Sequence, residues 1–323
     1  MLRELRFVNR EPELDKMMRW AREGRYTPVF LYGPEGCGKT RLLKEFYQRL
    51  SQHEDYIIVY IDALEEKIPE KALLGSEKVL DVAKSIVEQI GGPVGKALAD
   101  SVEALLEELY KRIKFKDKHV ILLIDDVASP LGLDYIELYA KRLLSLSEEL
   151  IWRMKARSAL LIATTSEGKS ARLIARHTYA NLYFMWNLPK EHFMELAKQL
   201  GAPDEAIMER AWSLTGGNPR ALLEIASLRW NFDEWMRHIE HRMRRALFEL
   251  REHKESIRAA LEDPDVLVED REAFNKMLDL NLIMDFYAEP LGVKPRPNPE
   301  MGIGREIAWQ IPVYVHVMRR VIE

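Results

Sequence analysis

A chain of 323 residues is long enough for two or three domains, and 47% hydrophobic with 31% charged content predicts a folded globular protein. A formal net charge of -4 excludes coating of nucleic acid through overall charge, though not a local basic face. The single cysteine, Cys37, excludes an intrachain disulfide and a cysteine-based metal site.

No apolar run approaches the ~18 residues of a membrane span. The stretch Met1-Leu-Arg-Glu-Leu-Arg6 lacks the uninterrupted apolar core of a signal peptide, so a cytoplasmic protein without membrane contact is expected. Residues 7–23 then place Leu14, Met17, Met18 and Ala21 at helical spacing, with Pro12 tolerated in the first turn. Their position just before the first strand puts Phe7, Val8 and Arg10 near the mouth of any site built at that strand's end.

Val29-Phe30-Leu31-Tyr32 is an apolar strand that runs into Gly33-Pro34-Glu35-Gly36-Cys37-Gly38-Lys39-Thr40 and then into a helix carrying Arg41, Leu42, Leu43 and Phe46. Strand, glycine-rich loop and helix form the context in which GxxxxGK[ST] reads as a phosphate-binding loop. The glycines let successive N–H groups converge on an anion, and the helix N-terminus adds unpaired donors. Lys39 is expected on the β- and γ-phosphates and the Thr40 hydroxyl on Mg²⁺. Phosphate binding is therefore assigned to Pro34, Glu35, Gly36, Cys37, Gly38, Lys39, Thr40 and Arg41. Cys37 serves as a small spacer, since a thiolate beside phosphate would be repelled.

Further strands follow at 56–61, 119–124, 159–163 and 182–186, alternating with helices at 39–51, within 70–115, at 134–155 and around Arg172 and Arg176. Gly91-Gly92-Pro93 breaks the second helical region. Five strands in this alternation make a doubly wound parallel α/β core, residues 1–188, with functional groups at the strand carboxyl ends. Asp62, Asp125 and Thr165 fall there. From Pro189 only helices are expected, at 190–200, 203–215, 219–230 and 232–258, a helical lid spanning 189–258. Residues 259–323 offer a helix, two strands around a Pro- and Gly-rich turn, and a closing helix from Pro312, a winged-helix pattern.

Asp125 ends the apolar strand Ile121-Leu-Leu-Ile124 and matches the carboxylate that holds Mg²⁺ opposite Thr40. Asp126 follows as the expected general base or water-orienting group. Thr164-Thr165-Ser166 closes the next strand, either sensing a γ-phosphate, with Thr165 the best placed, or capping the following helix. In Gly216-Gly-Asn-Pro-Arg220, Pro219 is expected on the base or sugar and Arg220 on the phosphates; a surface Arg220 is the alternative. Arg172 and Arg176 are either arginine fingers for a neighbouring subunit or solvated charges. The basic residues between Arg229 and Arg258 interleave with Glu240, Glu249, Glu252 and Glu255, which favours an ion-paired helix surface over a nucleic-acid footprint.

Phe7-Val-Asn-Arg10-Glu11 with Glu13-Leu14, the loop 33–40, Ile121–Asp126 and Gly216–Arg220 together resemble the archaeal ATPase family in the STAND branch of AAA+ P-loop ATPases. The likeness runs over nearly the whole chain. It implies ATP and ADP rather than guanine nucleotides, Mg²⁺, hydrolysis, and a nucleotide held between core and lid. It also implies a switch between an ADP-bound closed form and an ATP-bound form that exposes a surface to a protein partner. The family's arginine soon after the fourth strand is missing before Arg172, so intrinsic hydrolysis is expected to be slow. A second reading, from a different class, is a duplex-DNA-binding protein resembling the archaeal replication initiators; the balanced charge of the terminal section counts against it. Oligomeric state stays open.

Overall fold

The computed structural model describes residues 5–67, 72–90, 93–165 and 168–322. The expected break at Gly91-Gly92 and the residues Ser166 and Glu167 lie outside them. Helix α1 (Glu11–Glu23) precedes strand β1 (Val29–Tyr32), and helix α2 (Lys39–Leu50) leads on to β2 (Tyr56–Asp62). The remaining strands are β3 (Leu73–Leu74), β4 (His119–Asp125), β5 (Ser158–Thr164), β6 (Asn181–Phe184), β7 (Ile283–Asp285), β8 (Glu289–Pro290) and β9 (Ile307–Trp309).

The central sheet has seven strands rather than the five expected, in the order β3-β2-β4-β5-β1-β6-β8. The five expected strands are parallel to one another, the short edge β3 is antiparallel to β2, and β8 comes from the C-terminal part of the chain to lie parallel to β6. A proline at β8 is tolerated because an edge strand has no second neighbour to receive its missing N–H. Two-residue strands have too little pattern to be visible in sequence.

Each parallel strand is apolar on both faces because helices cover both. Val29, Leu31, Ile58, Tyr60, Ile121, Leu123, Leu160 and Ile162 pack with Leu14, Met17, Leu42 and Phe46 of α1 and α2. The alternate residues, including Phe30, Val59, Ile61, Leu122 and Leu161, pack with Leu105, Leu143 and Leu150 on the other face. The period of two thus splits the sheet into two cores. Strand β1 lies between β5 and β6 while its own helix α2 leads out to β2, so the connections diverge at its carboxyl end and open a crevice there.

The helices beyond Pro189 are Lys190–Gln199, Glu205–Thr215, Pro219–Ser227 and Phe232–Glu249. Asp204, Asn218 and Asn231 cap three of them by accepting from the N–H groups of Ile207, Ala221 and Glu234, which is why each starts where it does. The expected continuous helix 232–258 ends at Leu250; a 3₁₀ turn and a separate helix, Lys254–Ala260, follow. The break brings both Leu250 and Ile257 into one core, which also holds Phe193, Leu222, Trp235, Phe274, Trp309, Tyr314 and Met318. Residues on either side of position 258 therefore share their apolar interior. Helix Arg271–Asp279, the antiparallel pair β7–β9 and helix Pro312–Val321 complete the C-terminal section.

Arg172 lies on helix Gly168–Ala175 and joins this section to the sheet. Its Nε donates to Asp285 at 3.1 Å and Nη1 to Asn275 at 2.9 Å, while its guanidinium covers the Phe274 ring. Burial pushes the Asp285 carboxyl up to about 6, with Arg172 opposing the shift. Replacing Arg172 by alanine leaves Asp285 buried without a cation and raises its folded-state pKa further above the unfolded value. The penalty exists only where the unfolded state is ionised. Arg172→Ala should therefore cost about 1–3 kcal/mol at pH 7, discounted for the half-exposed arginine, and progressively less as pH falls towards 4. Urea denaturation at both pH values measures this; an equal loss at both would remove Asp285 from the explanation.

Candidate functional site

At the carboxyl ends of β1, β4 and β5 lies a cavity of about 570 Å³. Its floor is the glycine-rich loop, where Gly36 and Gly38 hold φ of 81° and 104°, values that only glycine takes without strain. The first N–H groups of α2, those of Lys39 and Thr40, have no intrahelical acceptor by helix geometry and open on this cavity. Lys39 is buried, and its Nζ donates to Gly33 O at 2.9 Å, to Pro34 O at 3.3 Å and, at 3.9 Å, to Cys37 Sγ. A buried ammonium with no carboxylate partner among the described residues is costly unless an anion completes it. Together these features fit a bound phosphate chain.

Asp125 is held ready by its neighbours. Its Oδ2 accepts from the Tyr60 hydroxyl at 3.0 Å and its Oδ1 from the Thr164 hydroxyl at 2.5 Å. The Thr164 oxygen in turn accepts from the Asp126 N–H at 2.8 Å. Asp126 sits at φ 54°, in the left-handed region where a short acidic side chain is accommodated, and it too lines the cavity. Across the β2–β4 register Asp62 lies level with Asp125; burial first, and the Asp125 charge second, raise its carboxyl above the usual range. The exposed Thr40 hydroxyl and the Asp125 carboxylate face the same space, a donor pair that suits Mg²⁺. That ion takes one or two protein oxygens and fills its octahedron with phosphate and water.

The remaining wall is apolar: Phe7, Val8, Leu188, Leu196, Pro219 and Leu223. It supplies a slot for a flat, weakly polar group such as a purine. Of the residues singled out in the sequence, Phe7, Val8, Arg10, Glu35, Gly36, Cys37, Gly38, Lys39, Thr40, Arg41, Asp125, Asp126, Pro219 and Arg220 all line this cavity. Pro34 does not. It faces inward, where its carbonyl accepts from Cys37 N–H and Lys39.

Three placements differ in kind from expectation. Thr165 is fully buried and its hydroxyl is bonded to Ser170, while the neighbouring Thr164 faces the cavity; strand alternation sends the two side chains to opposite sides. Arg10 meets main chain rather than offering its charge at the mouth. It pairs with Glu13 at 2.9 Å and donates to Cys37 O at 2.9 Å and Trp186 O at 2.8 Å, so it braces the loop from behind. Arg172 and Arg176 lie in a different cavity, away from this one.

Glu35, assigned from sequence to the phosphate-binding loop, is the most connected residue of that loop. Its N–H donates to Gln310 Oε1 at 2.9 Å, its carbonyl accepts from Asn218 Nδ2 at 2.8 Å, and its carboxylate meets Arg220 at 2.5 Å and Arg242 at 3.9 Å. Asn187 ties Asn218 to the Gln310 carbonyl. The lid touches the loop so closely that a Cβ on Gly36 would stand 2.4 Å from that of Arg220. Tyr60, Asn187 and Gln310 were not singled out from sequence, and Thr164 was passed over for Thr165. Lys44 and Leu223 could have been, since each follows a chosen residue by one helical turn, Thr40 and Pro219.

Comparison with known proteins agrees with this geometry. A family model described as an ATPase domain predominantly from Archaea matches residues 7–225. The chain is 25% identical to an uncharacterized ATP-binding protein of Pyrococcus horikoshii over 333 aligned positions, which cover 92% of this chain and 97% of that one. It is 26% identical to an uncharacterized ATP-binding protein of Pyrococcus abyssi over 261 positions, covering 71% and 74%. Among solved structures, Cdc6p of Pyrobaculum aerophilum superposes with a TM-score of 0.45 at 14% identity, covering 98% and 94% of the two chains. The ORC2 protein of Aeropyrum pernix, in ADPNP and ADP complexes, gives 0.44 at 14% identity, covering 99% and 96%.

Removing the Lys39 ammonium should weaken nucleotide binding by about 10²-fold or more, since a charge-assisted contact to phosphate contributes roughly 3 kcal/mol in a buried site. Titration of Lys39→Ala with a fluorescent ATP analogue measures this, and undiminished affinity would exclude the loop as the phosphate site. Thr164→Val should lower Mg²⁺-dependent affinity roughly 10-fold by freeing one oxygen of Asp125. Affinity measured with EDTA should stay the same.

Proposed function

The chain belongs to a family of ATPase domains found predominantly in Archaea, and on that premise we propose that it hydrolyses ATP with Mg²⁺ and works as a nucleotide-driven conformational switch acting through a protein partner. The observation that carries the switch reading is Glu35, one loop residue bonded at once to residues of the lid and to Gln310 near the C-terminus.

In this reading Lys39 turns from the carbonyls of Gly33 and Pro34 to the phosphates, and the donors of the loop neutralise their charge. Thr40 and Asp125 would hold Mg²⁺, which would supply Lewis-acid polarisation of the phosphoryl oxygens. Asp126 orients the attacking water and accepts its proton. Arg220 is held by Glu35 when the lid is closed. A terminal phosphate brings more negative charge than one carboxylate and competes for that guanidinium, which weakens the tie between loop and lid. The ion pair itself is half-exposed and contributes about 1 kcal/mol or less. The buried amides Asn187, Asn218 and Gln310 define the closed geometry, and the ion pair makes it responsive to charge.

Residues 1–188 serve as the ATPase core, 189–258 as the lid and 259–323 as a winged-helix unit in this scheme. The helix Arg271–Asp279 followed by the β7–β9 pair supports the last assignment.

Asp126→Asn should leave ATP affinity within about threefold and slow turnover by about 10²-fold or more. Phosphate release under saturating ATP reads both, and an unchanged rate would dismiss Asp126 from the mechanism. Glu35→Ala keeps the main-chain bonds and removes both ion pairs. It should speed hydrogen exchange across Pro219–Ser227 in the ADP-bound protein, and identical protection in the parent and the variant would refute the lid tie.

A further inference from the structure

A second cavity, of about 780 Å³, opens between helix Gly168–Ala175 and the β7–β9 pair. We propose that it docks an acidic segment of a protein partner that also carries apolar side chains. The inference rests on the reading that this ATPase acts through a partner, and it specifies where and with what chemistry.

Five cationic side chains from four separate segments converge there: Arg172, Arg176, Arg271, Lys294 and Arg305. They face two carboxylates, Asp285 and Glu306, and Asp285 is already paired with Arg172. The cavity is thus strongly positive on a chain whose net charge is -4. Low-dielectric walls focus such a field, so an anionic segment is drawn to this place rather than to the surface at large. Among the described residues, Arg176, Arg271 and Arg305 form no side-chain ion pair. These arginine forks remain free for bidentate carboxylate contacts.

Charge alone would suit nucleic acid equally well. The apolar groups decide. Val268 is 59% exposed and Tyr287 48%, both on the cavity wall, and Val293 beside Lys294 is 69% exposed. Exposed aliphatic side chains among arginines mark protein interfaces, where they are buried against apolar partner residues. Nucleic acid would instead need open aromatic faces for its bases. Two of the three rings are covered, Phe274 by Arg172 and Phe286 by Lys294, and Tyr287 has one face turned to Tyr32, so no run of open rings is offered. Tyr32 also belongs to β1, and its hydroxyl donates to the Asp285 carbonyl at 3.1 Å. The cavity is thus joined through Tyr32 to the strand that carries the phosphate loop.

The test uses the full chain and a fluorescein-labelled peptide of mixed Asp, Glu, Leu and Phe, read by anisotropy. Control probes replace the acids by Ser, replace the apolar residues by Glu, or substitute a single-stranded oligodeoxynucleotide of equal charge. The mixed peptide should saturate, bind tighter than all three controls, and weaken roughly tenfold or more in Arg271→Glu/Arg305→Glu. Lys294→Glu supplies the same comparison should the double variant not fold. Binding of the mixed peptide that equals the serine control, or that ignores the charge reversals, overturns the proposal. Tighter binding of the oligonucleotide, lost on charge reversal, overturns it in favour of nucleic acid. Fluorescent ATP titrated into the same preparations reads the nucleotide site separately. A chain that binds the peptide but no ATP sinks the switch and spares the groove; one that binds ATP but no peptide sinks the groove alone.

Discussion

The main chain of Glu35 is satisfied from two distant parts of the chain. Its N–H needs Gln310 and its carbonyl needs Asn218, and these acceptor and donor groups come from residues far along the chain that are themselves buried. A buried amide without its partner costs about 1–3 kcal/mol, so displacing either segment would penalise the loop directly. The loop conformation, the seat of the lid and the position of the C-terminal section are for this reason one problem with one solution. Arg10 closes it from the other side by holding Cys37 and Trp186 through their carbonyls.

Within that frame the charged groups are arranged unequally. Lys39 is buried among neutral acceptors, two carbonyl oxygens and the Cys37 sulfur, so no carboxylate among the described residues compensates its charge. Asp125 is buried but has a hydroxyl on each oxygen, which holds the carboxylate orientation without neutralising it. Glu35 and Arg220 are half-exposed, so their attraction is weak and easily outcompeted. A firmly oriented carboxylate and a buried lysine beside a weakly held lid contact fit the proposed switch, since only a marginal contact can be reversed by a ligand's own charge.

The far side of the sheet is joined to the C-terminal section by different means. Arg172 spans the seam between Asp285, Asn275 and Phe274, and β8 extends the sheet itself. An arginine that sequence alone leaves as either a finger or a solvated charge turns out to be a bracket. The seam it braces also forms the second positively charged cavity described above, and Tyr32 connects that cavity to β1.

Local order was largely legible. The five parallel strands, the loop from Gly33 to Thr40, the Asp125-Asp126 pair and the helix starts at 219 and 232 follow from apolar runs, glycine spacing and side-chain chemistry over a few residues. The choice between Thr164 and Thr165 did not, because it depends on which face of β5 turns towards α2 and the loop. Glu35 was equally silent, since its partners lie 183 and 275 residues away and carry ordinary amides. The short strands β3 and β8 exist only because a sheet edge was available to pair with. Sequence by itself determined that a phosphate-binding α/β core forms, because those signals are written in neighbouring residues. Tertiary structure alone decided what the loop is tied to, which hydroxyl attends Asp125 and where positive charge gathers, because each depends on groups that only folding brings within hydrogen-bond distance.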